Sequence, residues 1–378
     1  MRANSVVSDA AVLIAAISGR ALAASARRAG YLPLVTDFFG DQDTLEAAHA
    51  HVRLAGDLAD GIEESNLVGA LEILSQQCMP LGIVCGSGFE RRTQLLKRLG
   101  QRWQLFGNDA ETVAKVKNPE VLSSTCAALG IPFPEFSLSK PPATAEWLAK
   151  HTGGAGGTHV KPVQQSDGVG SEIYYQRRVP GTPVAALFLA DGERATVLGF
   201  SAQWSLPAPR QPYRYCGAVR PAPLAPRTAE SLSVTVHRVA AAMSLVGLNS
   251  ADFLVHGEDY WLLEINPRPG ATLDIFEPPR QSLFALHMAA CGGRLVAAPR
   301  YPDGAKASAI VYAENDIPSV PSLAWPDWTA DRPPAGTTIK TGQPVCTVYA
   351  CGSASAATKA LADERRAMVL AWMESKQS

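Results

Sequence analysis

"WLLEINPRPGATLDIFE", residues 261–277, decides the reading of this chain. It opens as an apolar strand and carries Glu264, Asn266 and Arg268 into a loop broken by Pro267 and Pro269. A carboxylate beside Trp261, Leu263 and Ile265 is costly to bury unless something positive meets it. The preceding run, "SADFLVHGEDY", is also β-patterned and ends in a turn at Gly257-Glu258-Asp259. A hairpin centred on Glu258 sets Asp252 directly opposite Glu264, and Asn266 points to the same face as Glu264. The other face is expected to carry Phe253, Val255, Trp261, Leu263 and Ile265 and to be core. Opposed acids destabilise a sheet, and a divalent cation would cancel the repulsion. Oxygen ligands in this number suit Mg2+ (or Mn2+), which leaves places for water and phosphate. Arg268, just past the strand, suits phosphate. The ordinary alternative is a pair of solvated acids on an exposed sheet face.

The rest of the chain provides the setting. With 378 residues, two to three domains are expected, and 47% hydrophobic against 18% charged residues allows cores of ordinary size. Lys+Arg is 34 and Asp+Glu 35, a balance that gives no sign of a nucleic-acid partner. The seven cysteines are scattered without a C-x-x-C pair, which fits reduced thiols in a cytoplasmic protein. The start, with Arg2 and "VVSDAAVLIAAIS", mimics a signal peptide, but Asp9 interrupts it and the pattern continues as strand, turn and helix. No apolar run reaches the length of a membrane span.

Strands at "AVLIAAIS", "LPLVTDFFG", "AHVRLAG" and "LGIVCGSGFE" alternate with helical stretches, which predicts a parallel α/β domain over 1–107. "GSGFE" raises dinucleotide binding, but a third glycine is missing near Thr93. Two helices follow, one capped by Asn108 or Asp109 and one from Pro119, ending at Gly130. "KHTGGAGGTH" sets Gly153, Gly154, Gly156 and Gly157 between two strands, where backbone N–H groups can approach phosphate. "EIYYQRRVPGTPVAALFLADGERATVLGFSAQW" reads as a β-meander turning at Pro180-Gly181 and Asp191-Gly192. A helix is expected at about 227–246, and the chain ends in short strands and a helix.

"ADFLV" followed by "WLLEINPRPGAT" resembles the metal-binding strands of the ATP-grasp superfamily, the ATP-dependent carboxylate ligases, and the match extends over nearly the whole chain in the same order. The resemblance implies an α/β and α+β architecture. An N-terminal parallel α/β domain (1–107) would precede two ATP-grasp subdomains, a small one with the glycine-rich loop (108–180) and a large one with the metal site (181–300). A small β-rich C-terminal domain of mixed α/β content (301–378) would complete it. By the same resemblance Asp252, Glu264 and Asn266 bind Mg2+, and Arg268 holds the γ-phosphate and the acyl phosphate. Lys150 contacts the α-phosphate, with Lys161 as second choice, and the glycine loop closes over the β- and γ-phosphates. Lys117 is the first ATP lysine, with Lys115 as competitor. Adenine lies near Gln176, Arg177, Arg178 and Val179, although Arg177 stands where an acid often follows the glutamine. His159, Gln203, Trp204, Tyr213, Arg214 and Asp274 are the substrate candidates.

The implied activity is an ADP-forming ligation of a small carboxylate to a small amine through an acyl phosphate. Some similar stand-alone proteins accompany the making of one-carbon carriers such as methanofuran or tetrahydromethanopterin. ATP-grasp ligases are often dimers, so a homodimer is allowed. Two rival readings are a non-catalytic nucleotide-binding module and a nicotinamide-dependent enzyme using the N-terminal domain.

Overall fold

The computed structural model describes residues 9–56, 60–142, 146–165 and 172–377. The signal-like start at 1–8 and the beginning of "TAEW" at 144–145 lie outside the described residues. The alternating pattern of the first hundred residues produces β1 (Ala11–Ala15), β2 (Leu32–Asp37), β3 (Ala50–Arg53) and β4 (Pro80–Cys85), interleaved with α1 (Arg20–Arg28), α2 (Gln42–Ala47), α3 (Glu64–Gln77) and α4 (Thr93–Arg102). The strands are parallel in the order β3-β2-β1-β4. All five β1 residues are buried, as expected of a strand covered on both faces.

Two capped helices follow. In α5 (Ala110–Lys117) Asp109 accepts from the Thr112 N–H, and in α6 (Pro119–Ala128) Asn118 accepts from Glu120 and Val121 with Pro119 at the first turn. A small sheet in the order β5-β8-β6-β7 comes next, built from β5 (Phe136–Ser137), β6 (Trp147–His151), β7 (Val160–Pro162) and β8 (Ile173–Arg177). The turn expected at Pro180-Gly181 is not a hairpin. β8 belongs to the small sheet and β9 (Thr182–Asp191) to the large one, so this segment crosses between sheets.

The large sheet also holds β10 (Ala195–Ser205), β11 (Tyr215–Arg220), β12 (Val246–His256), β13 (Asp259–Asn266), β14 (Ala305–Tyr312), β15 (Thr329–Ala330) and β16 (Pro344–Gly352). Its order is β13-β12-β9-β10-β11-β14-β16-β15, so the C-terminal strands extend the same sheet. Alternate residues of β9 feed two cores. Leu187 and Leu189 pack toward α8 (Leu273–Phe276) and α9 (Leu283–Cys291), while Val184, Ala186 and Phe188 pack toward α7 (Pro226–Ala242). The helix expected to reach residue 246 stops earlier, because Ser244 takes a positive φ of 51° and β12 begins at Val246. The last helix, α10 (Ser355–Gln377), covers β14 and β16. No helix among the described residues is long and apolar enough to cross a membrane.

The acid hairpin needs one correction. Asp252 does pair with Glu264, Ala251 with Ile265, and Ser250 with Asn266. Beyond that point the register shifts: Phe253 pairs with Leu262 and His256 with Asp259, so the turn is Gly257-Glu258 alone. Leu263 is the extra residue of a bulge. The core side of β13 is therefore Leu262 and Ile265, both fully buried, whereas Trp261 and Leu263 are only half-buried.

Candidate active site

Leu248, Ser250 and Asp252 share one face of β12. Leu248 lies in the core under α9, and Asp252 lies four residues further along that face. The bulge aligns Glu264 opposite it without turning the apolar Leu262 outward. Asn266 Nδ2 donates to Asp252 Oδ2 at 3.0 Å, and Gln203 Nε2 from β10 donates to Asp252 Oδ1 at 3.3 Å. The positive partner of Glu264 comes from the end of α5. Lys117 Nζ donates to Asn266 Oδ1 at 2.8 Å and stands 3.7 Å from Glu264. Its competitor Lys115 instead pairs with Glu111 on an exposed helix face.

Electrostatics follow from this crowding. Burial, then the charge of Glu264, pushes the Asp252 carboxyl well up. Burial acts on Glu264 in the same direction, but Lys117, His159 and Lys150 outweigh it and hold that carboxylate below the usual range. Two carboxylates and an amide oxygen on one buried face fit Mg2+, which fills its remaining places with water and phosphate oxygens. Among the described residues no group of three or more His, Cys, Asp or Glu could hold a metal ion.

Lys150 approaches from β6 in the small sheet. It is buried and donates to Gln176 Oε1 at 2.7 Å, its diagonal neighbour on β8. Burial lowers its pKa against the opposing charges of Glu264 and Asp252. Lys161, the second choice, is instead among the charges that act on His151. Gln176 thus serves Lys150, and its Nε2 is buried with no hydrogen-bond partner among the described residues. The N–H groups of Arg177 and Arg178 are taken by Glu135 O and Glu146 O, and the Arg177 side chain pairs with the same two glutamates. Val179 begins the crossover to β9.

The glycine loop lies between these parts. Its Gly156 O accepts from the Tyr215 N–H at 2.9 Å. A Cβ on Gly157, which has a φ of 71°, would sit 1.9 Å from Tyr213 O, so no other residue allows this approach. The His159 ring lies against Gly154. Burial, helped by Lys150 and Lys117, lowers His159 to about 4, so it is neutral near pH 7. Tyr213 thus meets the loop through its backbone. Arg268 leaves β13 through a tight turn in which its N–H bonds Asn266 O, and Asn108 Nδ2 fixes the loop by donating to Pro267 O at 3.0 Å.

The other substrate candidates lie apart from this convergence. The Arg214 guanidinium stacks on Tyr312 at 3.9 Å and donates to Leu206 O and Gly342 O. Trp204 packs on Gly217 beneath Lys359. Asp274 takes both terminal nitrogens of Arg20 at 2.6 Å. Two residues not anticipated are Tyr174, whose hydroxyl is pushed up by burial and Glu264, and Glu90, which accepts from Arg268. Only the charge at the end of "GSGFE" hinted at the latter.

Comparison with known proteins agrees with this arrangement. A family model described as an ATP-grasp domain matches residues 115–272, which span Lys117, Lys150, the glycine loop and the acid hairpin. Residues 115–272 are an ATP-grasp domain. The carbamoyl phosphate synthase large chain of Deinococcus radiodurans is 24% identical over 220 residues, 51% of this chain and 21% of that one. The formate-dependent phosphoribosylglycinamide formyltransferase of Burkholderia pseudomallei is 34% identical over 103 residues, 27% of this chain and 25% of that one. The chain therefore spans no more than about a quarter of the length of these relatives. In fold, it resembles the biotin carboxylase of Campylobacter jejuni, at a TM-score of 0.72 and 14% identity over 96% of this chain and 95% of that one. The biotin carboxylase domain of the Hydrogenobacter thermophilus 2-oxoglutarate carboxylase gives 0.72 and 11% over 91% and 86%. These likenesses show that the fold over nearly the whole chain resembles that of these carboxylase structures.

Proposed function

We propose that this protein is an ATP- and Mg2+-dependent ligase that joins a small carboxylate to an amine and releases ADP and phosphate. The observation that carries the proposal is the convergence of Lys117 and Lys150, from separate elements, on the opposed pair Asp252 and Glu264. Asp252, Glu264 and Asn266 would hold Mg2+, whose charge neutralises phosphate oxygens during transfer. Lys117 and Lys150 would meet the phosphates from either side, and the N–H groups around Gly153–Gly157 would cover them. The crossover at Gln176–Val179 would receive adenine, with the backbone groups that Glu135 and Glu146 leave open, rather than the occupied Arg177 side chain, as its contacts.

In this scheme a carboxylate oxygen of the acid attacks the γ-phosphorus as the bond to the β,γ-bridging oxygen breaks, and ADP leaves with that electron pair. Arg268 stabilises the transferred phosphoryl group and the acyl phosphate. The amine then attacks the acyl carbon, phosphate departs, and the nitrogen loses a proton to give the amide. No side-chain nucleophile is required. His159, whose ring lies against Gly154, and Gln203, bonded to Asp252, would face the substrate. We further propose that the acid and amine include an amino acid, as in the assembly of one-carbon carriers of the methanofuran or tetrahydromethanopterin type, and that the enzyme acts as a homodimer.

The test is Mg2+-dependent release of ADP and phosphate in the presence of pooled amino acids and small acids, with mass spectrometry of the product. Release that requires both an acid and an amine supports the ligase. ATP binding without release under any combination would leave a nucleotide-binding module, and tight NAD binding with indifference to ATP would defeat the reading.

A further inference from the structure

Glu90 closes the turn after β4, 178 positions from Arg268 in sequence. Its side chain is 4% exposed. One carboxylate oxygen accepts from Arg268 Nε at 2.7 Å, and the other accepts from the Gly88 N–H at 2.9 Å. Burial alone would raise this carboxyl, but Arg268 and Lys117 hold it below its ordinary range, so the pair is ionic. Because Glu90 grips Nε, the two terminal nitrogens of Arg268 stay available. Among the described residues their one hydrogen bond runs from Nη1 to Pro269 O, at a long 3.5 Å.

The same corner touches the glycine loop. A Cβ on Gly153 would come within 2.8 Å of the Glu90 carbonyl oxygen, and neighbouring Arg91 pairs with Glu172 at the start of β8. The space beside Glu90 and Arg268, bounded by Phe89, Gly107, Asn108 and Pro267, has a volume of about 20 Å3. That is room for about one water. Both carboxylate oxygens of Glu90 are already engaged, by Arg268 Nε and the Gly88 N–H, so Glu90 acts on Arg268 rather than on a substrate.

We propose that Glu90 is the positioning residue of the phosphate site. It fixes the Arg268 guanidinium through Nε so that the terminal nitrogens form a fork for the γ-phosphate, while its backbone seats Gly153 at the same corner. An arginine ordered in advance loses less side-chain freedom when it meets the transferred group. The proposal rests on the ATP-dependent reading above.

Calorimetric titration with Mg-ADP and with Mg-β,γ-imido-ATP tests it in four proteins: wild type, Glu90→Gln, Arg268→Ala and the double variant. Affinity for ADP should stay within about threefold throughout, while the preference for the triphosphate analogue falls about tenfold in Glu90→Gln and no further in the double variant than in Arg268→Ala. A merely structural role would weaken both nucleotides alike. If melting shows Glu90→Gln unfolded, Glu90→Asp, which keeps the charge but withdraws it by one methylene, should show the same selective loss. A triphosphate preference intact in the folded Glu90 variant, additive losses in the double variant, or equal loss of ADP affinity overturns the assignment alone. A wild-type protein that binds neither nucleotide overturns the ATP reading and this assignment with it.

Discussion

Two groups of half-buried acids lie in this molecule, and they are held in opposite ways. In the hairpin group, Asp252 faces Glu264 across a ladder, and the cations that answer them are lysines from other elements. In the second group, Asp43, Asp274 and Asp331 surround a single arginine, Arg20 at the start of α1. There the partners are already present. Arg20 reaches Asp274 with two 2.6 Å bonds and Asp331 with bonds of 2.9 and 3.3 Å, and Asp43 accepts from the N–H groups of Asp331 and Arg332. Acids whose lone pairs are filled by a guanidinium and backbone amides form a joint between the N-terminal sheet, α8 and the C-terminal strands. Acids set against each other, with lysines at the margin, leave coordination for a guest.

The largest effect should come from breaking the joint. Arg20→Ala removes a buried guanidinium and leaves three half-buried carboxylates without it, and should lower unfolding free energy by about 2–4 kcal/mol; a denaturant titration measures this, and a loss under 1 kcal/mol would refute the distinction. Glu264→Gln should cut Mg2+-dependent turnover by about 100-fold, since several kcal/mol of charge stabilisation depend on the metal. Its melting temperature should fall modestly, because Lys117 and Lys150 lose a carboxylate they hold in its charged form while the relieved repulsion on Asp252 offsets part of that loss. Full activity in that variant sinks the metal assignment.

Asp41 offers a test through pH. Burial, with the charges of Asp331, Asp37 and Asp43, pushes it up to about 9, against about 3.9 in an unfolded chain. The folded state therefore holds the proton more tightly, and the associated stability is present below about pH 4 and lost as pH rises toward 9. Asp41→Asn should flatten that slope and stabilise the protein at pH 8 by about 1–3 kcal/mol, read from melting curves across the range. The smallest effect should follow Arg177→Ala. Its pairs with Glu135 and Glu146 are about half-exposed or more, so less than about 1 kcal/mol should be lost, and nucleotide affinity should hardly change because the backbone makes the hinge.

Much of this was legible in the sequence, because period-two and helical patterns report local faces. The opposition of Asp252 and Glu264 was anticipated from a turn centred on Glu258, but the structure reaches it by a two-residue turn plus the Leu263 bulge, and the first parallel domain followed from its alternation. The bulge at Leu263 was not legible. An inserted residue leaves an apolar run apolar, so Trp261 and Leu263 looked like core when Leu262 was. Spacing favoured Lys117 over Lys115, and in the fold Lys117 stands beside Glu264 while Lys115 faces solvent beside Glu111. Glu90 and Arg20 lay further out of reach. Their partners are 178 and 311 positions away, and an ion pair across such a span imposes no period on either strand or helix.

The continuous large sheet has a practical corollary. β11 pairs with β10 on one side and, from Gly217 to Arg220, with β14 on the other, while Cys216 and Val219 lie in the core that α10 completes. A polypeptide cut between α9 and β14 would bare a rim of unsatisfied backbone groups next to an uncovered apolar patch. Such a rim recruits strands from other molecules. Nicking or dissection there would yield clumped protein rather than a free-standing catalytic fragment, and fusion partners are better attached after α10.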